Sequence, residues 1–280
     1  MSLGIEEGAN DMIEQLITSS DSVIRYGGVY SIGLAFAGSG NPGALKKLLS
    51  IASTDTSDDV KRSSVIMIGL VMASSPTDVV KLVSVSSRSH NPHLRYGAAL
   101  ALAVSCAGTA NKDALEILSV LTKDTTDFVR QGAFIALGFL LQCTSPTVTP
   151  KNMIFRKEIM EILRSKYEDS LVKFGGMLAL GLMDVAGRNG YFTVISPKGS
   201  GIFEKTLMKE NVLGLVLFLQ YWFWIPYSLG ISLSIEPAGL MGVLGNSNLE
   251  MPEMKFNCDA TPSTFSLPKK YSPPEKKKDF

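Results

Sequence analysis

Residues Asp21–Leu34 read DSVIRYGGVYSIGL, and the pattern returns four times without gaps. The further copies are SDDVKRSSVIMIGL at Ser57–Leu70, NPHLRYGAALALAV at Asn91–Val104, TDFVRQGAFIALGF at Thr126–Phe139 and DSLVKFGGMLALGL at Asp169–Leu182. Self-similarity at a nearly fixed period marks a repeat architecture. Each copy opens on Asp, Ser, Asn, Thr or Asp, the side chains whose short oxygens accept a bond from a free N–H at a helix start. In the third copy Pro92 follows the cap directly, where its missing N–H costs nothing. The pattern therefore predicts five helix starts.

Four residues after each cap stands a base: Arg25, Lys61, Arg95, Arg130 and Lys173. The residue before each base is apolar (Ile24, Val60, Leu94, Val129, Val172), and eight residues further on lie Ile32, Ile68, Leu102, Leu137 and Leu180, on the same helix face. Three columns hold small residues: Gly27, Ser63, Gly97, Gly132 and Gly175; Gly28, Ser64, Ala98, Ala133 and Gly176; Gly33, Gly69, Ala103, Gly138 and Gly181. Glycine inside a helix costs about 1 kcal/mol relative to alanine. Its repetition predicts helices that approach too closely for a larger side chain. The base column reads as a structural feature, each base capping or pairing with carbonyls and carboxylates of the adjacent repeat.

The bases are spaced by 36, 34, 35 and 43 residues, and a more amphipathic segment lies in each interval, such as ALKKLLSIAS from Ala44, DVVKLVSVSS from Asp78, DALEILSVLT from Asp113 and EIMEILRSKY from Glu158. Each repeat is thus a helix-turn-helix unit that buries its faces only by stacking on neighbours. The long interval is explained by CTSPTVTPKN, a Pro- and Thr-rich stretch that reads as a surface loop. The resulting expectation is an all-α repeat solenoid or partial toroid, with a short β-containing C-terminal part. Residues 1–20 form a partial repeat, its second helix only, as though the chain began inside an array; residues 21–190 form five repeats. Residues 191–245 form a post-repeat segment with a buried apolar helix, and residues 246–280 an extended end with a basic tail. YFTVIS from Tyr191 and MKFNC from Met254 are the strand candidates, by aromatic and β-branched content.

With 27 basic and 26 acidic residues the chain has no global field to recruit nucleic acid or an anionic membrane. Cys106, Cys143 and Cys258 are sparse and odd in number, which argues for a reducing compartment, and the N-terminus lacks the pattern of a signal peptide. Between Glu210 and Glu236 lie 25 uncharged residues, enough for a membrane span. Pro226 divides that run, however, and Tyr221, Trp222, Phe223 and Trp224 cluster mid-run rather than at two interfaces. Burial in the helical stack is the favoured reading; a membrane anchor at residues 211–235 is the alternative.

The stretch GSGNPG, with Gly38, Gly40 and Gly43, matches a dinucleotide fingerprint, yet its glycines follow a helix rather than a strand. The same phase places AGTAN at Ala107 and AGRNG at Ala186, so it reads as one copy of an inter-helix turn. His90 and His93 flank the Asn91 cap with too few companions for zinc and read as capping-loop residues. No nucleophile finds a base, so no catalytic, cofactor-binding or metal site is expected, no cofactor and no enzymatic activity. Lys269, Lys270, Lys276, Lys277 and Lys278 read as a solvated tail.

A unit of about 35 residues built on RYGG…IGLA…GSGN resembles the proteasome/cyclosome repeat. That repeat is shared by the two largest non-ATPase subunits of the proteasome regulatory particle and by the largest anaphase-promoting-complex subunit. The later stretches VLGLVLFLQYWFWIPYSLGISLSIEP and LEMPEMKFNCDATPSTFSLPKKY resemble the region C-terminal to the repeats in the larger proteasome subunit. The resemblance covers residues 21–268. It implies a non-catalytic scaffold in ubiquitin-dependent protein degradation, in cytoplasm and nucleus, with no nucleic-acid or membrane partner. The implied partners are the ATPase ring, ubiquitin receptors, a deubiquitinase and lid subunits; a scaffold of the anaphase-promoting type is the other implied reading. The family's acidic, aromatic receptor-docking tail has no counterpart in SPPEKKKDF.

Overall fold

A computed structural model describes residues 10–144, 149–197 and 205–237, all within one compact unit, Met1–Gly239. The strand candidate at Met254, Cys258 and the basic tail lie outside the described residues. Ten helices come first: α1 (Asn10–Ile17), α2 (Ser22–Ala35), α3 (Pro42–Thr54), α4 (Asp58–Val71), α5 (Pro76–Ser87), α6 (Pro92–Ser105), α7 (Lys112–Leu121), α8 (Asp127–Leu140), α9 (Lys151–Arg164) and α10 (Ser170–Met183). The fold is all-α and repetitive. One layer holds α2, α4, α6, α8 and α10, each packed on the next, and the other holds the odd-numbered helices.

The caps explain where the first-layer helices begin. Asp21, Asn91 and Asp169 each accept a bond from the N–H two residues on, at 2.8, 2.8 and 2.7 Å. Ser57 and Thr126 make no such side-chain bond. Their own N–H groups are held instead by Asp55 and Asp124, at 2.8 and 2.9 Å, which fixes the entry to the helix one step earlier.

The small-residue columns face three different neighbours. A Cβ on Gly97, Gly132 or Gly175 would meet Arg62, Tyr96 or Gln131 of the preceding first-layer helix. One on Gly33, Gly69 or Gly138 would meet Met67, Ala101 or Ala179 of the following one. One on Gly28 or Gly176 would meet Ile17 of α1 or Ile159 of α9, so α1 stands to α2 as α9 stands to α10. At the two ends of the layer the same columns are open: among the described residues nothing lies within 4 Å of a Cβ at Gly27 or Gly181. Because α4, α6 and α8 have neighbours on both sides, they are buried almost all round, including every residue of α6 from Tyr96 to Ser105. In the apolar column before the bases, Val60, Val129 and Val172 are buried, whereas Ile24 is 43% exposed.

The glycine-rich turn is a staple between repeats. Gly38 and Gly40, at φ +66° and +65°, donate their N–H groups to Leu70 and Val71 carbonyls at the end of α4, both at 3.0 Å. Gly108 and Ala110 do the same for Phe139 and Leu140 of α8, at 2.9 and 3.2 Å. Carbonyls left free at a helix end thus find donors in the turn of the preceding repeat. The left-handed backbone is why glycine recurs there.

Two expectations need correction. The last second-layer helix begins at Lys151, not near Glu158, so part of the supposed loop is helical. Polar residues hid it: Asn152 is buried, donates to the carbonyl and hydroxyl of Thr144, and accepts from Arg156 one turn later at 2.7 Å. YFTVIS is not one strand but two, β1 (Gly190–Phe192) and β2 (Ile195–Pro197), because the Thr193 hydroxyl bonds to both the N–H and the carbonyl of Ile195 and turns the chain. β2 pairs antiparallel with β3 (Lys205–Leu207), and β1 with β4 (Ile235–Pro237). The free edge of β1 is covered by a side chain: the Gln142 amide donates to Phe192 O at 2.9 Å and accepts from Phe192 N at 2.7 Å.

Candidate interaction site

The base column ties successive loops together. Arg95 grips Asp124 with two parallel bonds, Nε to Oδ2 at 2.7 Å and Nη2 to Oδ1 at 2.9 Å. Its Nη1 donates to the carbonyls of Ser89 and His90, at 2.9 and 3.0 Å. Arg25 repeats the arrangement on Asp55, Ser19 and Ser20. Arg130 reaches Glu168 at 2.7 Å and the Asp124 carbonyl at 2.8 Å, and also pairs with Asp127. Each arginine therefore joins the loop before its own helix to the loop after its repeat. Such a fork suits guanidinium and not ammonium; Lys61 and Lys173 form no ion pair within 4.0 Å among the described residues.

The ladder makes stability pH-dependent. The Arg25 bonds hold the Asp55 carboxyl below its ordinary value of 3.8. For Asp124, burial pushes upward, but the bonds from Arg95 and the Thr126 N–H outweigh it, and the net shift is again downward. A carboxylate depressed in the folded state contributes stability above its unfolded pKa and loses it as pH falls through the folded one. The melting temperature is expected to drop as pH is lowered from about 5 to 3, and less steeply in Asp124→Asn; thermal melts across that range followed by circular dichroism check this.

After the repeats the chain returns along the first layer. Helix α11 (Lys209–Leu219) passes into a 3-10 turn at Gln220–Trp222, then, after Phe223 and Trp224, into a longer 3-10 segment at Ile225–Ser234. These fold back on one another with Gly214 and Gly230 at the crossing, where a Cβ on Gly230 would lie 2.6 Å from Leu217 Cβ. The uncharged run is thus broken by turns rather than forming one membrane-length helix. Among the described residues one helical stretch, Ser170–Arg188, is long and apolar enough to cross a membrane by composition, but it comprises α10, packed on α8, and a turn with left-handed Ala186 and Gly187.

Every repeat places the residue after its base against this closing segment. The Tyr26 hydroxyl bonds to Gln220 at 3.2 Å, and its ring meets Phe223 edge-on at 5.8 Å. The Arg62 guanidinium stacks on Trp222, 4.2 Å from the ring centroid, and is paired with Asp59 at 2.7 Å. Tyr96 packs on Trp222 at 4.9 Å and shares a buried hydroxyl–hydroxyl bond with Tyr221. Tyr221 donates to Gln131 at 3.3 Å, and Phe174 packs on its ring at 6.1 Å. Burial raises the pKa of both Tyr96 and Tyr221, so the pair stays protonated and hydrogen-bonded.

This column, Tyr-Arg-Tyr-Gln-Phe, is not marked by the repeat pattern because its residues share no chemical type. Its signal was size: a large side chain at each position immediately before a small column. His93 is also more than a capping residue. Its N–H joins the Asn91 cap, while its ring packs on Phe128 and Trp222 at 5.1 and 6.1 Å, and burial together with Arg62 lowers its pKa.

Beyond the buried contacts, Phe223, Trp224 and Ile225 stand 57, 57 and 56% exposed. They lie between two cavities, one of about 400 Å³ beside Val23, Tyr26 and Phe223, the other of about 450 Å³ beside Leu171, Phe174, Trp222 and Ile225. The arrangement is one of packing and presentation. Among the described residues no three His, Cys, Asp or Glu side chains come together as a metal cluster would require.

Comparison with known proteins fits this geometry. Residues 27–62 match the family model described as the proteasome/cyclosome repeat. Across 266 residues the chain is 41% identical to 26S proteasome non-ATPase regulatory subunit 1 homolog A of Arabidopsis thaliana, covering 95% of this chain and 26% of that protein. It is 40% identical over 270 residues to the Dictyostelium discoideum 26S proteasome non-ATPase regulatory subunit 1, covering 96 and 27%. Against the Saccharomyces cerevisiae 26S proteasome regulatory subunit RPN2 the values are 38% over 257 residues, covering 92 and 27%. The chain thus matches the proteasome/cyclosome repeat at residues 27–62 and is similar, along nearly its whole length, to one stretch of the non-ATPase regulatory subunit 1 and RPN2 proteins, of which it spans about a quarter.

Proposed function

We propose that the chain is a non-catalytic scaffold of the 26S proteasome regulatory particle, supporting ubiquitin-dependent degradation by holding other subunits in register. The observation that carries this is the 41% identity over 95% of the chain to a subunit named as non-ATPase and regulatory. The site agrees with it: arginine forks, turn staples and the closing segment all serve to fix one helix against another. On this reading residues 21–190 are the repeat array and the described residues of 191–245 the segment that closes it, while residues 246–280 lie outside the described residues. The ATPase ring, ubiquitin receptors, deubiquitinase and lid subunits are its partners, in cytoplasm and nucleus.

Tagged chain expressed in its native cells is expected to co-migrate with proteasome particles on native gels and to leave membranes on alkaline carbonate extraction. Retention in the lipid pellet, with none in proteasome fractions, would overturn the scaffold reading in favour of an anchor at residues 211–235.

A further inference from the structure

The second layer carries a groove of about 510 Å³ between α5 and α7 whose walls have opposite charge. Lys81 and Arg88, two turns apart on one face, form the α5 wall; Asp113 and Glu116, one turn apart, form the α7 wall. Between them lie Val80, Ile117 and Val120, the last 71% exposed, together with Ser84 and Ser87. No ion pair crosses the groove among the described residues: Lys81 has only a 3.9 Å contact with Asp78 on its own helix. Apart from that contact the wall charges have no ion-pair partner among the described residues, and they flank apolar surface that is left in water.

We propose that this groove docks an amphipathic helix of a partner protein, with an apolar stripe against Val120, acidic residues along the flank that meets α5 and basic residues along the flank that meets α7. Charge complementarity on both walls selects this occupant, since a helix with a single sign of charge would be repelled by one of them.

The probes are three labelled synthetic helical peptides of about four turns with the same leucine stripe: one with glutamates on one flank and lysines on the other, one with glutamates on both and one with lysines on both. In fluorescence anisotropy with the full chain, the mixed peptide is expected to bind at least about tenfold more tightly than either single-sign peptide, and less so as salt is raised. The variant Lys81→Glu/Arg88→Glu, with two acidic walls, should come to prefer the all-lysine peptide. Asp113→Lys/Glu116→Lys should come to prefer the all-glutamate one. These are gains of binding that an unfolded variant would not show. Equal binding of all three peptides, or preferences unmoved by the variants, would refute the site. A sedimentation shift showing dimers of the wild-type chain that Lys81→Glu/Arg88→Glu abolishes would identify a second copy as the occupant and overturn the partner helix.

Discussion

Replacing Gly69 by alanine is expected to destabilise the protein by about 2 kcal/mol or more, while the same replacement at Gly181 is expected to stabilise it by up to about 1 kcal/mol. The two residues belong to one column of the repeat, so local sequence predicts the same effect at both. A Cβ at Gly69 would lie 2.5, 2.7 and 2.9 Å from the carbonyl oxygen, Cα and carbonyl carbon of Ala101. Those are backbone atoms of α6, itself buried, and they yield only if α4 and α6 separate along their length. The gain in helix propensity is smaller than the packing lost by that separation. At Gly181 nothing among the described residues lies within 4 Å, so only the gain remains. Gly138→Ala should follow Gly69→Ala, with Ala179 Cα at 2.7 Å, and Gly27→Ala should follow Gly181→Ala. Urea titrations followed by far-UV circular dichroism measure the four changes; effects of one sign at all four positions would show that tight helix contact is not what the glycines serve.

The second large effect is expected at Trp222. Its ring touches Arg62, His93, Tyr96 and Phe128 from three successive repeats, with centroid distances between 4.2 and 6.1 Å. Trp222→Ala removes the side chain these residues share and leaves the Arg62 guanidinium, 3% exposed, without the aromatic face over it. A loss of about 2–4 kcal/mol is expected from the cavity together with the lost cation–π contact. Trp224 is two residues away, equally aromatic and 57% exposed, and meets only Tyr227 at 4.9 Å among the aromatic contacts of the described residues. Trp224→Ala should cost less than about 1 kcal/mol. Circular dichroism is the readout, because each variant removes one of the two tryptophan fluorophores. Equal losses at both positions would mean that the closing segment contributes bulk apolar area rather than specific contacts.

The repeat period, the cap residues and the small columns were legible because each depends on neighbours within a turn or two of the same helix. The arginine fork was legible in kind, as a structural pairing of the base column, but not in its partners. Asp55 and Asp124 lie 30 and 29 residues beyond Arg25 and Arg95, and nothing near either end marks the pairing. The start of helix α9 was hidden because Lys151 and Asn152 close a Pro- and Thr-rich stretch, and the bond that Arg156 donates to Asn152 is visible only in the structure.

Sequence alone was enough to determine a stack of helix-turn-helix repeats, since caps, periodicity and glycine spacing are properties of short segments that recur. The tertiary structure decided what the run from Asn211 to Ile235 does. Its hydropathy suits a bilayer and a protein core equally, because both are apolar surroundings. What separates the two is a set of partners spread from Tyr26 to Phe174, which come to one line only when five repeats stack.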